Sequence, residues 1–207
     1  MEAKDFFRFL KDEIHTVVLA TTDKKGNPVT CVMDIMLCDK KGLYFITAKG
    51  KSVYERLCAN KNISLSGFKG SDTLSCTAVS VKGKAKEVGS DLLGEVFEQN
   101  KYMCEIYPSK ESRETLTVFK IYKGTGEYFD LSKKPVERFS FEFGGEKSKQ
   151  TGYIITDKCK RCGKCAKKCP TGCIEKGKPY KIIQKNCLHC GMCKKVCGHG
   201  AVKKCEI

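Results

Sequence analysis

The sequence lacks both an amino-terminal signal peptide and any apolar run long enough to span a membrane. We therefore expect a cytoplasmic protein with no membrane association. This expectation decides how its fifteen cysteines are interpreted. A disulfide scaffold is typical of small secreted chains, whereas clustered cysteines in a reducing compartment more often bind metal.

Acidic residues are scarce at the carboxyl end of the chain. Residues 151–207 hold three Asp and Glu against fourteen Lys and Arg, together with ten of the cysteines. The preceding 150 residues are closer to balance, with 21 acidic and 25 basic residues. Because charge and cysteine content both change there, we predict one domain at 1–143, a polar linker at 144–150 and a second domain at 151–207.

The cysteines of this second domain follow a repeated spacing. The run Cys-x2-Cys-x2-Cys-x3-Cys occurs twice, followed first by proline and then by glycine. In such runs three thiolates of one tight loop bind a [4Fe–4S] cluster, and the fourth cysteine binds the other cluster. The predicted ligands of the first cluster are Cys159, Cys162, Cys165 and Cys197. Those of the second cluster are Cys187, Cys190, Cys193 and Cys169.

This segment closely resembles the bacterial two-cluster ferredoxins, whose short strands before each loop match residues 153–155 and 180–183. The resemblance implies a small α+β domain that carries two [4Fe–4S] clusters and moves electrons. The alternative is zinc, but structural zinc sites pair Cys-x2-Cys knuckles across a longer gap. Cys173 and Cys205 fall outside the pattern, and we interpret Cys173 as a packing residue near a cluster.

The basic excess of the segment bears on its partners. Two clusters with their thiolates offset only part of the positive charge, and the remainder is expected to steer an acidic redox partner protein. A nucleic-acid partner is not expected, because the segment lacks the interleaved aromatic residues of a base-stacking surface.

Turn residues divide the first 150 residues into runs typical of antiparallel strands. The predicted strands are 15–22, 28–37, 43–48, 62–68, 74–87 and 117–131, with a hairpin around 124–126 as an option for the last. The predicted helices are an amphipathic segment at 1–10 and the segments 52–59, 91–100 and 110–116. Many strands with few helices favour a small β-barrel.

The order strand, turn, strand, turn, strand, helix, with Thr47 and the pair Lys51–Ser52 after it, resembles the pyridoxamine-phosphate-oxidase-like, FMN-binding split barrels. The resemblance covers residues 1–130 and implies FMN at a homodimer interface. A hydroxyl, a cation and a helix N-terminus suit the flavin phosphate, so we interpret these three residues as its ligands. The alternative for the pair is an ordinary solvated loop with a helix cap.

In that family the isoalloxazine lies along the second strand, so the resemblance implies contacts from Val32, Met33 and Asp34. The chain departs from oxidases of pyridoxamine phosphate, because Cys31 replaces an arginine and a ferredoxin segment occupies the substrate-binding end. Vitamin B6 chemistry is therefore not expected. Three further residues either line a substrate pocket or lie on a solvated helix face. They are Tyr102, Tyr107 and Arg113.

The sequence thus predicts a mainly β split barrel with short helices, joined to a small α+β ferredoxin domain. The predicted function is an FMN- and iron–sulfur-dependent oxidoreductase that passes electrons between a flavin and two [4Fe–4S] clusters. Its partner is either an acidic redox protein or a small-molecule substrate, and no catalytic residue is identified. The alternatives are a non-catalytic electron carrier and a redox sensor.

Overall fold

The computed structural model describes residues 1–149 and 151–206. The chain divides into two units. The first comprises Met1–Lys69, Ala78–Glu127 and Ser140–Lys147, and the second comprises Gly70–Thr77, Tyr128–Phe139 and Ser148–Ile207. The domain limits predicted at 143 and 151 stay a prediction. The last residues of the predicted linker and of the second domain, Gln150 and Ile207, lie outside the described residues.

Most of the chain before residue 148 forms one sheet with short helices around it. Its helices are α1 (Ala3–Arg8), α2 (Ser52–Ala59), α3 (Leu93–Gln99), α4 (Met103–Ile106) and α5 (Lys110–Arg113). Its strands are β1 (Thr16–Thr22), β2 (Pro28–Asp34), β3 (Leu37–Asp39), β4 (Gly42–Ala48), β5 (Asn62–Lys69), β6 (Thr77–Gly89), β7 (Leu116–Asp130) and β8 (Glu137–Phe143). The hydrogen-bonded order is β2-β1-β5-β6-β7-β4-β3, with β8 paired to β7. The mainly β class is therefore confirmed.

The burial of these strands follows their place in the sheet. β1 and β5 alternate between buried and accessible residues, as expected when one face of a strand packs on a core. β4 is buried at almost every position, since β3 and β7 flank it and Phe45 stacks on Phe119 with ring centroids 5.6 Å apart. β2 contacts β4 although four strands separate them in the hydrogen-bonded order, so the sheet curls.

The single strand predicted at 28–37 is wrong, because the backbone changes partner in its middle. β2 ends at Asp34, Ile35 N donates to His15 O at 2.8 Å, and Met36 N donates to Tyr44 O at 2.8 Å. Ile35 and Met36 are consecutive buried residues, which breaks the alternation of a continuous strand.

The optional hairpin around 124–126 is also wrong, because β7 runs through it without a turn. Gly124 lies against Gly83 of the neighbouring strand, and a Cβ on Gly124 would approach Gly83 Cα to 2.9 Å. These glycines therefore permit a close approach of two strands instead of a reversal of the chain.

The amino-terminal helix is present and continues as a π-helical segment at Phe9–Ile14. Phe6 and Phe7 are fully buried, and Phe6 stacks on Phe141 with ring centroids 4.5 Å apart. The chain then enters β1 through His15, whose backbone has a φ of 62°. This is a left-handed conformation that non-glycine residues seldom adopt.

The carboxyl-terminal part of the second unit has very little regular structure. Its elements are β9 (Thr151–Ile155), α6 (Lys164–Lys167), β10 (Ile174–Glu175), β11 (Lys181–Ile182), a 3-10 helix (Gln184–Asn186), α7 (Met192–Lys195) and β12 (Val202–Glu206). β9 pairs antiparallel with β12, and β10 pairs antiparallel with β11. Its buried cluster contains four cysteines beside a few apolar residues. Across the described residues of the whole chain, none of the helices has the length and apolar character that crossing a bilayer requires.

Candidate cofactor sites

Two cavities of the second unit are lined by cysteines. The cysteines of the first cavity are Cys159, Cys162, Cys165 and Cys197. Those of the second cavity are Cys169, Cys173, Cys187, Cys190 and Cys193. The structure therefore brings together each predicted set of four, including the fourth cysteine that comes from the other run. It also adds Cys173 to the second set.

The two cysteine loops have matching backbone geometry. Gly163 and Gly191, with φ of 76° and 78°, each precede a single helical turn that carries the third cysteine of its run. Arg161 N donates to Cys159 Sγ at 3.4 Å, and in the other loop His189 N donates to Cys187 Sγ at the same distance. Backbone donors aimed at sulfur favour the thiolate that iron requires.

The donor set fits a cluster better than a single ion. Within residues 1–149 and 151–206, no group of three or more His, Cys, Asp or Glu is arranged to hold one metal ion. Four cysteine sulfurs that line one cavity are the donors that a [4Fe–4S] cluster takes. In the second cavity, a hydrogen bond from Cys173 lowers the pKa of Cys187 to about 7.

Thr47 of the first unit has an unsatisfied hydroxyl. It lies near the end of β4 and is 3% exposed, and its buried Oγ1 has no hydrogen-bond partner among the described residues. A buried polar group without a partner costs about 1–3 kcal/mol. Such an atom fits a site whose missing acceptor is supplied by a ligand, and the phosphate of FMN offers that acceptor.

The other predicted phosphate ligands follow Thr47 through a tight turn. Lys51 N donates to Ala48 O at 3.0 Å, and α2 begins at Ser52, as the sequence predicts. Both Lys51 and Ser52 are exposed, so their charge and hydroxyl are open to a ligand.

Arg56 joins this group, although the sequence analysis did not identify it. Its Nε donates to Thr21 Oγ1 at 2.8 Å and its Nη1 donates to Ser52 Oγ at 3.0 Å. Burial raises the pKa of the Cys31 thiol, and the nearby positive charges of Arg56 and Lys51 oppose that shift. Both cations therefore lie close to β2. The spacing of four between Ser52 and Arg56 on a predicted helix was the signal that could have revealed the pair.

The three predicted ring contacts on β2 differ in their surroundings. Val32 is 70% exposed and Met33 is half-buried. The Asp34 carboxylate is engaged, because it accepts hydrogen bonds of 2.7 Å from Thr16 Oγ1 and from the Tyr102 hydroxyl.

Tyr102 belongs to a polar network at the end of β2. His15 Nε2 lies 2.9 Å from the Tyr102 oxygen and 3.7 Å from Asp34 Oδ2. Burial and the hydrogen bond to Asp34 raise the pKa of Tyr102 well above its ordinary value. By contrast, Arg113 donates to Tyr107 O at 2.8 Å and lies over the Phe97 ring at 4.0 Å, which are structural contacts.

Comparison with known proteins adds two family matches. The family described as "Pyridoxamine 5'-phosphate oxidase" matches residues 2–124, and the one described as "4Fe-4S binding domain" matches residues 153–175. No curated protein matches the sequence.

Solved structures share the fold of the larger part of the chain. A NimC/NimA family protein from Clostridium acetobutylicum superposes with a TM-score of 0.54 at 19% identity, over 66% of this chain and 90% of that chain. A heme binding protein from Mycobacterium smegmatis superposes with a TM-score of 0.53 at 14% identity, over 68% of this chain and 57% of that chain. A protein related to general stress protein 26, again from C. acetobutylicum, superposes with a TM-score of 0.51 at 17% identity, over 67% of this chain and 95% of that chain. At these identities the likeness concerns the fold alone.

Proposed function

The chain belongs to the pyridoxamine 5'-phosphate oxidase family, and from this premise we propose that it is an FMN- and iron–sulfur-dependent oxidoreductase. In this proposal electrons pass between a flavin and two [4Fe–4S] clusters. The observation that carries it is the pair of cysteine cavities in a chain whose other part is a flavin-binding split barrel. When bound, a flavin exchanges two electrons with an organic substrate and each cluster accepts one.

In the flavin site, the chain supplies an anion-binding corner for the phosphate. Thr47 donates its unpaired hydroxyl, and Lys51 and the N-terminus of α2 supply positive charge. Arg56 holds Ser52 and Thr21 in place and adds a second cation. The ordinary solvated loop that was the alternative would not explain why a buried hydroxyl is left without a partner.

The ring is proposed to lie along Val32–Asp34, with a second copy of the chain covering that face of the sheet. Val18 and Val32 stand opposite each other on β1 and β2 and are 48% and 70% exposed. Exposed apolar residues on adjacent strands favour such a partner. The homodimer of the family resemblance is the partner that we propose.

The network at the end of β2 is proposed to hold a proton beside the ring. The Tyr102 hydroxyl donates to Asp34 Oδ2 and accepts from the His15 Nε2–H, so a proton can be held or passed along this chain of hydrogen bonds. A small-molecule substrate is expected at this end of the strand.

The basic carboxyl-terminal segment is proposed to receive an acidic redox partner protein, since its charge excess favours that encounter. None of the fifteen cysteines, all of which lie among the described residues, forms a disulfide. Cysteines without disulfides beside iron–sulfur sites suit a reducing compartment, which supports the proposed cytoplasmic location.

Anaerobic purification with measurement of iron, sulfide, flavin and the visible spectrum tests the proposal. We expect about eight irons and about one FMN per chain, and bleaching of both centres with a substrate or chemical reductant. Eight irons without flavin, even after FMN is added, would contradict the oxidoreductase and leave an electron carrier or redox sensor. A heme spectrum in place of a flavin spectrum would contradict the FMN assignment.

A further inference from the structure

A cleft of the first unit is lined by cations that neither the proposed flavin site nor the cysteine cavities use. Its volume is about 630 Å³, which is within the range of pockets that bind small molecules. The basic side chains of the cleft are those of Lys4, Lys40, Lys41, Lys86 and Lys120. Glu2 and Glu142 also line it, so a formal excess of three positive charges remains.

The sheet brings these lysines together from distant parts of the chain. Lys40 and Lys41 form the turn between β3 and β4, Lys86 lies on β6, and Lys120 lies on β7 opposite Tyr44 of β4. β7 pairs with both β6 and β4. The convergence of positive charge therefore follows from the order of the strands, and not from a run of lysines in the sequence.

The ammonium group of Lys120 is held in place and keeps one donor unused. Its Nζ donates to the Tyr44 hydroxyl at 2.6 Å and to Asp39 Oδ2 at 3.0 Å, and its side chain is 14% exposed. Tyr44 in turn donates to Asp39 Oδ2 at 2.7 Å. Since an ammonium has three N–H donors, one is left without a hydrogen-bond partner among the described residues. A positioned cation with an unused donor suits a bound anion.

Three other lysines of the cleft have no carboxylate partner. Within residues 1–149 and 151–206, Lys40, Lys41 and Lys86 form no ion pair, whereas Lys4 pairs with Glu2 at 2.8 Å. The Nζ of Lys86 instead lies 5.3 Å from the centroid of the Tyr122 ring. Like charges that converge without counter-charges repel one another, so an anion that enters the cleft relieves this repulsion.

The cleft is separate from the phosphate corner of the proposed flavin site. Lys40 and Lys41 precede β4, which begins at Gly42, whereas Thr47 lies near the other end of the same strand. Five residues of an extended strand span about 16 Å. One phosphate group therefore cannot contact both ends.

The chemistry of the cleft favours phosphate groups as the ligand. Its five cations are all lysines, and the compact ammonium of lysine binds phosphate as a point charge, whereas arginine is favoured where a planar group is bound by two parallel hydrogen bonds. A phosphate group carries about −1.5 to −2 charges at neutral pH, so two such groups match the positive excess. Tyr122 and Phe143 give the cleft an apolar wall beside these charges.

We propose that this cleft binds a small molecule that carries two or more phosphate groups. The site goes beyond the proposed oxidoreductase and does not depend on it, because its described lining includes neither a cysteine nor a proposed flavin ligand. Such phosphates belong either to a nucleotide, whose organic part would lie against Tyr122 and Phe143, or to inorganic polyphosphate.

Isothermal titration calorimetry of the full-length chain tests the proposal with ATP, inorganic tripolyphosphate and AMP. Excess FMN fills the proposed flavin site, magnesium is absent, and the ionic strength is physiological, so that long-range attraction is screened. We expect ATP and tripolyphosphate to bind at least about tenfold more tightly than AMP, which has a single phosphate. Tighter binding of ATP than of tripolyphosphate would identify a nucleotide, and equal binding would identify the phosphates alone. The proposal is overturned if neither polyphosphate binds, or if AMP binds as tightly as ATP.

A second turn of the same sequence supplies the matched control. Asp-Lys-Lys-Gly occurs at 23–26 between β1 and β2 and at 39–42 between β3 and β4, and all four lysines are exposed. Lys40→Gln/Lys41→Gln should raise the Kd of ATP by about tenfold, because two charged contacts are lost. Lys24→Gln/Lys25→Gln makes the same change in net charge and should alter the Kd by less than about twofold. Equal effects would show a general attraction to a basic chain and overturn the proposal.

Amine labelling of the unmodified chain locates the ligand without any substitution. With ATP present, Lys40, Lys41 and Lys86 should be acetylated more slowly than without it, as measured by peptide mass spectrometry. Lys24 and Lys25 should react at an unchanged rate. Protection of the lysines of residues 151–207 in place of those of the cleft would overturn the proposal. A chain that protects the cleft lysines but takes up neither iron nor FMN would contradict only the proposed function.

Discussion

The two units differ in what fills their interiors. In the first, large side chains such as Phe6, Phe45 and Phe119 are fully buried and stack on one another or on neighbouring rings. In the second, four cysteines that face two cavities make up half of the buried cluster. We expect a segment this small, with so few apolar residues, to gain its stability from what the cysteines bind, whereas the sheet is stabilised by its own side chains.

Removal of iron is expected to have the largest effect, and to act on one unit alone. With a chelator under reducing conditions, amide hydrogens of β9 and β12 should exchange at the rates of an unfolded chain, because their pairing depends on the clusters. Amides of β4 and β7 should stay protected. Hydrogen exchange followed by mass spectrometry measures both, and reconstitution with iron and sulfide is the control. Continued protection of β9 and β12 without iron would show that the second unit folds by itself.

A cavity in the aromatic core is expected to act on the sheet alone. Phe119→Ala should lower the free energy of unfolding of the first unit by about 3–5 kcal/mol, because Phe119 is fully buried against Phe45. The iron content should not change. Ile106→Ala, at an exposed position of α4, is the matched control and should change stability by less than about 0.5 kcal/mol. Denaturant titration of the sheet signal measures both, and equal effects would contradict the assignment of the core.

Arg56→Gln should weaken the binding of FMN by about 2 kcal/mol, roughly a thirtyfold increase in Kd, because a charged contact to the proposed phosphate site is removed. Riboflavin lacks the phosphate, so its Kd should be unchanged. Arg113→Gln is the control, since Arg113 is held by Phe97 and Tyr107. Fluorescence titration gives the Kd of each flavin for both variants and for the unmodified chain. An equal loss for FMN and riboflavin would place Arg56 away from the phosphate.

The smallest expected effect on FMN binding comes from Thr47 on β4. Thr117, which is also buried and stands opposite it on β7, provides the comparison. Thr47→Val should raise the Kd of FMN about fivefold, the equivalent of about 1 kcal/mol, without destabilising the flavin-free protein, because its hydroxyl has no partner among the described residues. Thr117 donates to Glu87 at 2.7 Å, so Thr117→Val should destabilise the flavin-free protein by about 1–3 kcal/mol. Thermal unfolding distinguishes them, and destabilisation by Thr47→Val would show that its hydroxyl is satisfied.

Sequence reasoning succeeded where a signal is short in range. The limits of β1, β5 and α2 were predicted closely, because turn residues bound the strands and a helix start signal precedes α2. It failed at Ile35–Met36 and at Gly124, because a change of strand partner and a close approach of two backbones depend on residues far away in the chain.

The sequence by itself determined the mainly β class and the grouping of cysteines into two sets, since strand periodicity and ligand spacing are local properties. Only the tertiary structure decided which further side chains share these sites. It joins Tyr102 and His15 to Asp34, Arg56 to Thr21, and Cys173 to the second cavity. These contacts depend on how strands and turns bring distant residues together, and the periodicity of a single segment does not predict them.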